Sequence, residues 1–402
     1  MKVPKLFQQQ KIGCVKMSSI KMFEKPLGMR DTFPEIYEKL ESIRSTGRDL
    51  LRARGYEFIK TPSVEYYDTV GKASAILDAR LFKLVDSQGN TLVLRPDMTT
   101  PIARVATSKL LKEKIPLRLA YFANVFRAQQ QEGGRPAEFD QMGIELIGDK
   151  SVYADAEVIM TAIDLVKAYK ITDFKVTIGH AGVLSCIMKD YTESEEQASK
   201  LNELLVQRNY VGFEEAVLGF DLPKTKSDAL LAYIEEAISV PSIEAIEKYV
   251  RKNDALEYMR SLSRILEAAG YEKYIAFDFT LSSHMSYYTG MLFEVFALGS
   301  GFPLGNGGRY DGLLAHFGST VGATGFGLRI DRVFEAMPKI EVENEQVLVL
   351  FVQERFTEAL AQVQFLREQG KQVTFQSYEG TPDVDALKAH YKVVNEFQSR
   401  EA

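Results

Sequence analysis

Two long strand-like runs, Leu117 to Phe126 and Phe139 to Ile147, flank the polar stretch Gln129-Gln130-Gln131-Glu132-Gly133-Gly134-Arg135-Pro136. Strands of that length joined by a glycine-containing polar loop read as an antiparallel pair within a sheet. The second run carries Gln141, Gly143 and Glu145 at alternate positions, and the pleat of a strand puts all three on one face. A glutamine and a glutamate around a glycine are a poor way to build a core. The glycine leaves room for a ligand and the two polar residues supply acceptors, so a small polar ligand is one reading and sheet packing the other.

Around this pair the chain alternates helix and strand signals. Asp31-Thr32-Phe33-Pro34 is a helix entry, followed by apolar residues at Ile36, Leu40, Ile43, Leu50 and Leu51 and a stop at Gly55. Tyr56 to Pro62 alternates as a strand, and Leu81 to Val85 with Thr91 to Leu94 reads as a hairpin around Ser87-Gln88-Gly89-Asn90. Ala154 to Ala168 has helical period, and Phe174 to Ile178 is strand-like. Val183 to about Gly270, rich in Glu, Lys, Leu and Ala, reads as a helical insertion. Strand character returns at Ile275 to Leu281 and Met291 to Leu298. Two glycine-dense stretches, Gly299 to Gly312 and Gly318 to Gly327, then lead into a helix over Ile330 to Met337. After Pro338 comes a small tail: a strand at Val347 to Val352, a helix at Thr357 to Gln369, a strand at Val373 to Gln376 and a short helix from Val384. Antiparallel strands with separate helices make the fold class α+β. The expected organisation is an N-terminal extension 1–22 without sustained period, a sheet domain in two parts, 23–182 and 271–338, the insertion 183–270, and a small α/β unit 339–402.

Composition removes several function classes. Lys and Arg total 49 against 55 Asp and Glu, a formal charge of −6 with no global field for gathering phosphates. The tail, with seven basic and eleven acidic residues, is a poorer surface still for a polyanion. Cys14 and Cys186 are the two cysteines and four histidines are scattered, so no disulfide framework, metal site or cofactor is expected. The apolar runs are too short to span a membrane and no signal-peptide core is present, which reads as a cytoplasmic protein.

The chemistry-bearing stretches are individually modest. Asp97 and Thr99 in Leu94-Arg95-Pro96-Asp97-Met98-Thr99 place a carboxylate and a hydroxyl just past a strand, where they suit a ligand amine or simply make a turn. Arg127 ends a strand, and its planar fork suits a carboxylate or phosphate as well as a surface ion pair. Tyr287 and Tyr288, upstream of Phe293-Glu294, read by default as sheet packing. Gly305-Asn306-Gly307-Gly308-Arg309-Tyr310-Asp311-Gly312 superficially suggests a phosphate loop, but no Gly-Lys-Ser/Thr follows and the dinucleotide context is absent. The glycines of Gly322 to Arg332 fit either close approach of a flat ligand or tight strand–helix packing.

Taken in order, these stretches resemble the class II aminoacyl-tRNA synthetase catalytic fold, and within it the histidyl-tRNA synthetases, over residues 24 to 338. Lys25 to Asp31 is similar to that family's entry motif, the first helix with Thr61-Pro62 to its motif 1 dimer interface, Arg127 through Glu145 to motif 2 and Gly325 through Arg332 to motif 3. Gly307 to Gly312 is similar to a histidyl-specific signature. The resemblance implies an antiparallel sheet flanked by helices. It also implies a histidine site in which Asp97 and Thr99 lie near the ligand amine, Glu145 and Tyr288 near its side chain, and Gln141 and Arg127 near its carboxylate, with Tyr287 a further candidate contact. Arg127 and Arg332 would be remnants of a nucleotide site.

The departures matter as much as the match. Where the family has Arg-Gly-Leu-Asp before the tyrosine pair, this chain has Ser283-His284-Met285-Ser286. Losing a cation positioned on developing charge typically costs about two to three orders of magnitude in rate. Ala128-Gln129-Gln130 replaces the family's His-Glu-Arg, Asp97 stands for a glutamate, and the tail is short and acidic for an anticodon-binding domain. This pattern resembles the synthetase-like regulatory subunits of ATP phosphoribosyltransferase. That resemblance implies a noncatalytic homodimer docked on a short-form catalytic subunit in a hetero-octamer, serving the first step of histidine biosynthesis with L-histidine as feedback effector and no tRNA bound. The other reading is an active histidyl-tRNA synthetase with a reduced tail.

Overall fold

The computed structural model describes residues 23–128, 136–250, 254–282, 288–338 and 346–399. The N-terminal extension, Gln129 to Arg135, and Ser283 through Tyr287 therefore lie outside the described residues. The chain divides into two compact units, 1–338 and 339–402.

In the first unit helix α1 (Pro34–Ala53) starts on proline, buries Ile43, Gly47 and Leu51, and stops at Gly55, whose φ of +81° is left-handed. Strand β1 (Glu57–Phe58) is much shorter than the run from Tyr56 to Pro62. Its backbone hydrogen bonding ends because the Thr61 carbonyl accepts from the Arg95 guanidinium and Pro62 has no N–H. Strands β2 (Val64–Tyr66), β3 (Lys83–Val85) and β4 (Thr91–Leu94) form a separate antiparallel sheet with β4 in the middle. Helix α2 (Thr99–Ser108) follows, a helix not among those expected, and buries Thr100, Ile102, Ala103 and Ala106.

The main sheet has eight strands. Its centre comprises β5 (Leu117–Phe126), β6 (Glu138–Ile147), β7 (Phe174–His180), β9 (Met291–Ala297), β10 (Gly305–Arg309) and β11 (Ala323–Arg329), with β8 (Ile275–Phe277) at one edge. The order β1-β5-β6-β11-β10-β9-β7-β8 is antiparallel except for the outer pairs β1–β5 and β7–β8. Strand β8 stops short of the expected Leu281 because Asp278 turns the chain: its Oδ1 accepts from Thr280 N at 2.8 Å. The glycine string, by contrast, is no loop. Its first five residues are β10, paired on both sides in the middle of the sheet.

One face of the sheet carries Met142, Ile144, Phe293, Val295 and Phe326 against α1, α3 (Val152–Ala168) and a short helix that follows β11. The insertion is a run of six helices: α4 (Ala181–Tyr191), α5 (Glu195–Val206), α6 (Tyr210–Gly219), α7 (Lys224–Ser239), α8 (Ile243–Glu247) and α9 (Asp254–Ala268). Several start on caps that the sequence supplies: Ser194 Oγ accepts from Gln197 N, Asn209 Oδ1 from Gly212 N and Ser242 Oγ from Ala245 N. Its apolar residues join the same core as the sheet. The other face of the sheet carries Tyr121 and Phe139 and is covered by α2 and α10 (Asp311–His316). The helix after β11 is α11 (Ile330–Ala336).

The second unit is a parallel three-stranded sheet, β13 (Gln372–Ser377), β12 (Gln346–Phe351) and β14 (Val393–Phe397), with β12 central. Val347 and Val349 pack on Ala359 and Val363 of α12 (Phe356–Glu368), and α13 (Val384–Lys388) precedes β14. Strand β14 was not expected. No described helix is long and apolar enough to cross a membrane, and among the described residues no three His, Cys, Asp or Glu side chains cluster as metal ligands.

Candidate functional site

Register assembles the site. Residues directly opposite in an antiparallel ladder share a face. The pairs Tyr121↔Gly143, Gly143↔Gly327, Gly327↔Asn306, Glu145↔Gly325 and Gly325↔Gly308 therefore carry one face across four strands. Three glycines on this face clear space for side chains of their neighbours. A Cβ at Gly325 would lie 2.0 Å from Glu145 Oε2, one at Gly327 2.3 Å from Gln141 Nε2, and one at Gly143 2.5 Å from the Tyr121 hydroxyl. The strand glycines thus make room for two polar side chains.

Above the face, the connection from β4 to α2 delivers Asp97 and Thr99. Asp97 is held by Thr100 N on Oδ1 at 2.7 Å and by Ser74 Oγ on Oδ2 at 2.8 Å. The Thr99 hydroxyl donates to Glu145 Oε1 at 2.7 Å, and the Tyr310 hydroxyl donates to Oε2 at 2.6 Å. Asn306 Nδ2 donates to the Tyr288 hydroxyl at 3.3 Å. Together with Tyr121, Gln141 and the backbone of β11, these residues line a narrow cleft. A second, roomier cavity lies between α4, α5 and Leu292 and shares Tyr288 as a wall.

Of the residues singled out in sequence, Asp97, Thr99, Gln141, Glu145 and Tyr288 converge on the cleft, and Tyr287 lies outside the described residues. Arg127 is not among the lining residues: its Nε donates to the Pro96 carbonyl at 2.9 Å and its guanidinium lies 5.4 Å from the Phe139 ring centre. Arg332 also faces elsewhere, donating to the Pro303 carbonyl and lying over Phe302. Three lining residues escaped sequence reasoning: Tyr121, Asn306 and Tyr310. The latter two sit in the glycine string that carries the histidyl-like signature, and Tyr121 faces Gly143 across the ladder.

Burial dominates the electrostatics. It pushes the fully buried Glu145 carboxyl up to about 8; the Tyr310 and Thr99 hydroxyls pull the other way and the Asp97 charge adds to the rise. Burial also raises the Tyr121 and Tyr288 hydroxyls. Beneath the site, His180 is pushed down to about 4 by burial and then by Arg309. The two shifts act on stability with opposite sign. Glu145 holds its proton more tightly when folded, so its contribution is full below about 4.5 and is lost as the pH rises through 8. His180 contributes above 6.5 and loses that contribution as the pH falls through 4. Glu145→Gln is expected to flatten the loss of thermal stability between pH 5 and about 8 while leaving the acid-side loss in place. Melting temperatures across pH test this, and an unchanged alkaline slope would contradict it.

Comparison with known proteins shows the family. The family model for histidyl-tRNA synthetase matches residues 28–333, and that for the C-terminal domain of the histidyl-tRNA synthetase HisZ matches 348–398. A curated ATP phosphoribosyltransferase regulatory subunit from Lysinibacillus sphaericus is 69% identical over 374 residues, covering 93% of this chain and 97% of that one. The chain belongs to the family of ATP phosphoribosyltransferase regulatory subunits. The regulatory subunit of Bacillus subtilis is 45% identical over 379 residues, 94% of this chain and 97% of its own. A crystal structure of an ATP phosphoribosyltransferase regulatory subunit/histidyl-tRNA synthetase from Bacillus halodurans superposes with a TM-score of 0.88 at 43% identity, over 95% of this chain and 100% of that one. A histidyl-tRNA synthetase from Nostoc matches with a TM-score of 0.75 at 17% identity over 92% and 89%, which shows the shared fold. Regulatory subunits and synthetases thus share the sheet, and the second unit matches the HisZ model.

Proposed function

We propose that this chain is a noncatalytic regulatory subunit of ATP phosphoribosyltransferase that binds histidine in the cleft of the main sheet and passes feedback to the catalytic subunit. The observation that carries the reading is a buried carboxyl, Glu145, held between the Thr99 and Tyr310 hydroxyls, with Asp97 nearby. A buried carboxyl that holds its proton this tightly, beside the carboxylate of Asp97, suits a ligand that can exchange a proton or hydrogen bond with it, as an imidazole can. Family membership supports the partner: the relatives' shared name is that of a regulatory subunit. We read the partner as the short-form catalytic subunit and the chain's own state as a homodimer.

Regulation then follows from linkage. Histidine has to favour one of two states of the complex by differential affinity, and a coupling of about 1 to 3 kcal/mol is ordinary. Adenylate chemistry is not expected, since Ser283 stands where the resembled synthetases carry an arginine and Ala128-Gln129-Gln130 replaces their His-Glu-Arg. In a complex reconstituted with the short-form catalytic subunit, Glu145→Ala is expected to assemble and support transfer while histidine no longer slows it. Inhibition equal to that of the unmodified complex would remove the cleft from the effector role. Histidine-dependent ATP–pyrophosphate exchange by the chain alone would favour the synthetase reading instead.

A further inference from the structure

Side chains of the helical insertion grip one short stretch of the sheet domain, residues 278–282, which follows β8. The Arg208 guanidinium lies 3.7 Å from the Asp278 carboxylate, and the Tyr233 hydroxyl donates to the Phe279 carbonyl at 2.6 Å. The Tyr210 hydroxyl pairs with that of Thr280 at 3.1 Å, and Asn202 Oδ1 accepts from Ser282 Oγ at 2.8 Å. Asp278 braces the stretch from within, accepting from Thr280 N and from the Thr280 hydroxyl. The stretch is a strap, bonded along its length to α5, α6 and α7 and to the turn between the first two.

Arg208 reaches beyond the strap. It sits just past α5 with a φ of +54°, the place where a left-handed glycine usually ends a helix, and the N–H groups of Arg208 and Asn209 close that end on the Leu205 and Leu204 carbonyls. A non-glycine residue keeps such a backbone where its surroundings hold it, and here the side chain is anchored. Its Nη2 donates to Glu294 Oε2 at 2.8 Å, and its guanidinium lies 5.6 Å from the Phe296 ring centre. Glu294 stands opposite Asn306 in the ladder and therefore on the cleft face of the sheet. Asn306 in turn donates to the hydroxyl of Tyr288, which walls both the cleft and the second cavity. Other walls of that cavity are α4, α5 and the strap residues Leu281 and Ser282.

We propose that the insertion senses the cleft through this grip, with Arg208 as the positioning residue. A ligand held against Tyr288 and Asn306 steadies Glu294 and the strap, and through Arg208 it steadies α5 and α6. Ordering at one end of a bonded network is felt at the other without a change of shape. This rests on the reading of the cleft as the histidine site.

Hydrogen exchange of the full chain with and without L-histidine, read by mass spectrometry, tests it, with calorimetry reporting binding. In the unmodified chain the amides of α5 and α6 are expected to exchange about threefold or more slower with histidine bound. In Arg208→Gln histidine is expected to bind within about threefold of the unmodified chain while that slowing disappears, and Arg208→Lys, which keeps a cation, restores part of it. The Arg208 side chain is 47% exposed, so its replacement leaves no buried hole. Should Arg208→Gln still not fold, Tyr210→Phe, which removes only the bond to Thr280, takes its place with the same expectation. Histidine binding with α5 and α6 unchanged would overturn the inference and leave the cleft reading intact. Slowing that survives in Arg208→Gln would overturn it too, because the grip would then carry nothing. A folded Arg208→Gln chain that no longer binds histidine would place Arg208 in the site itself, against the inference. If the folded unmodified chain binds no histidine, the inference falls together with the cleft as effector site, and the rate of the reconstituted complex still reports whether the chain regulates.

Discussion

Asp155→Ala is expected to destabilise the first unit by about 3–5 kcal/mol, the usual cost of removing one partner of a buried ion pair. Arg309 reaches Asp155 with two parallel hydrogen bonds, Nε to Oδ2 and Nη2 to Oδ1, both at 3.0 Å. Asp155 is fully buried and the Arg309 side chain is 9% exposed. The Tyr258 hydroxyl of α9 donates to the same carboxylate, while Arg309 also holds the Asp149 and Ser151 carbonyls. One carboxylate thus ties β10 and α3 to the insertion. Its loss leaves a guanidinium in the interior with two carbonyls and Asp311, which is 3.4 Å away. Because Tyr310 follows Arg309 and its hydroxyl holds Glu145, the cleft loosens as well. Urea unfolding measures the effect, and a shift below about 1 kcal/mol would show that the pair contributes no more than a surface bridge.

Gly143→Ala is the second large effect. A Cβ there would lie 2.0 Å from the Phe326 carbonyl oxygen and 2.5 Å from the Tyr121 hydroxyl. The first of these is backbone of the adjacent central strand, which cannot swing away as a side chain would. Overpacking of this kind costs about 1–3 kcal/mol and occasionally more, and the upper end is expected because β6 is paired along its full length on one side by β5 and over seven residues by β11. The same displacement moves Gln141 and Glu145, so ligand affinity is expected to fall beyond what partial unfolding explains. Unchanged stability of the Gly143→Ala chain in the same urea titration would mean that the ladder relaxes there at no cost.

How much of this was legible depended on whether a residue carries its own signal. Strands β5 and β6 were visible at almost their true limits because branched and aromatic residues mark them. Strand β10 was not, since Gly305, Gly307 and Gly308 carry no strand propensity and owe their place to the neighbours on either side. The polar face of Gln141, Gly143 and Glu145 could be read from period alone. What the side chains do there could not: the glycines opposite make room for Gln141 and Glu145. Arg127 suits a ligand anion by type and position, and no local pattern reports that its Nε donates to the Pro96 carbonyl. Tyr310 was in view within the glycine string, yet its contact with Glu145 spans 165 residues of chain, a separation no local pattern reports.

Glu145 and its two hydroxyl donors form the proposed effector site, and Ser283 stands where the resembled synthetases carry the arginine that adenylation needs. Fold alone does not separate those alternatives, because one sheet serves both synthetases and regulatory subunits. The most direct measurement is the phosphoribosyl transfer rate of a short-form catalytic subunit with and without this chain, titrated with histidine. The account predicts that adding the chain raises the rate and makes histidine inhibitory. A rate and a histidine response that do not change, with both proteins folded, would contradict it.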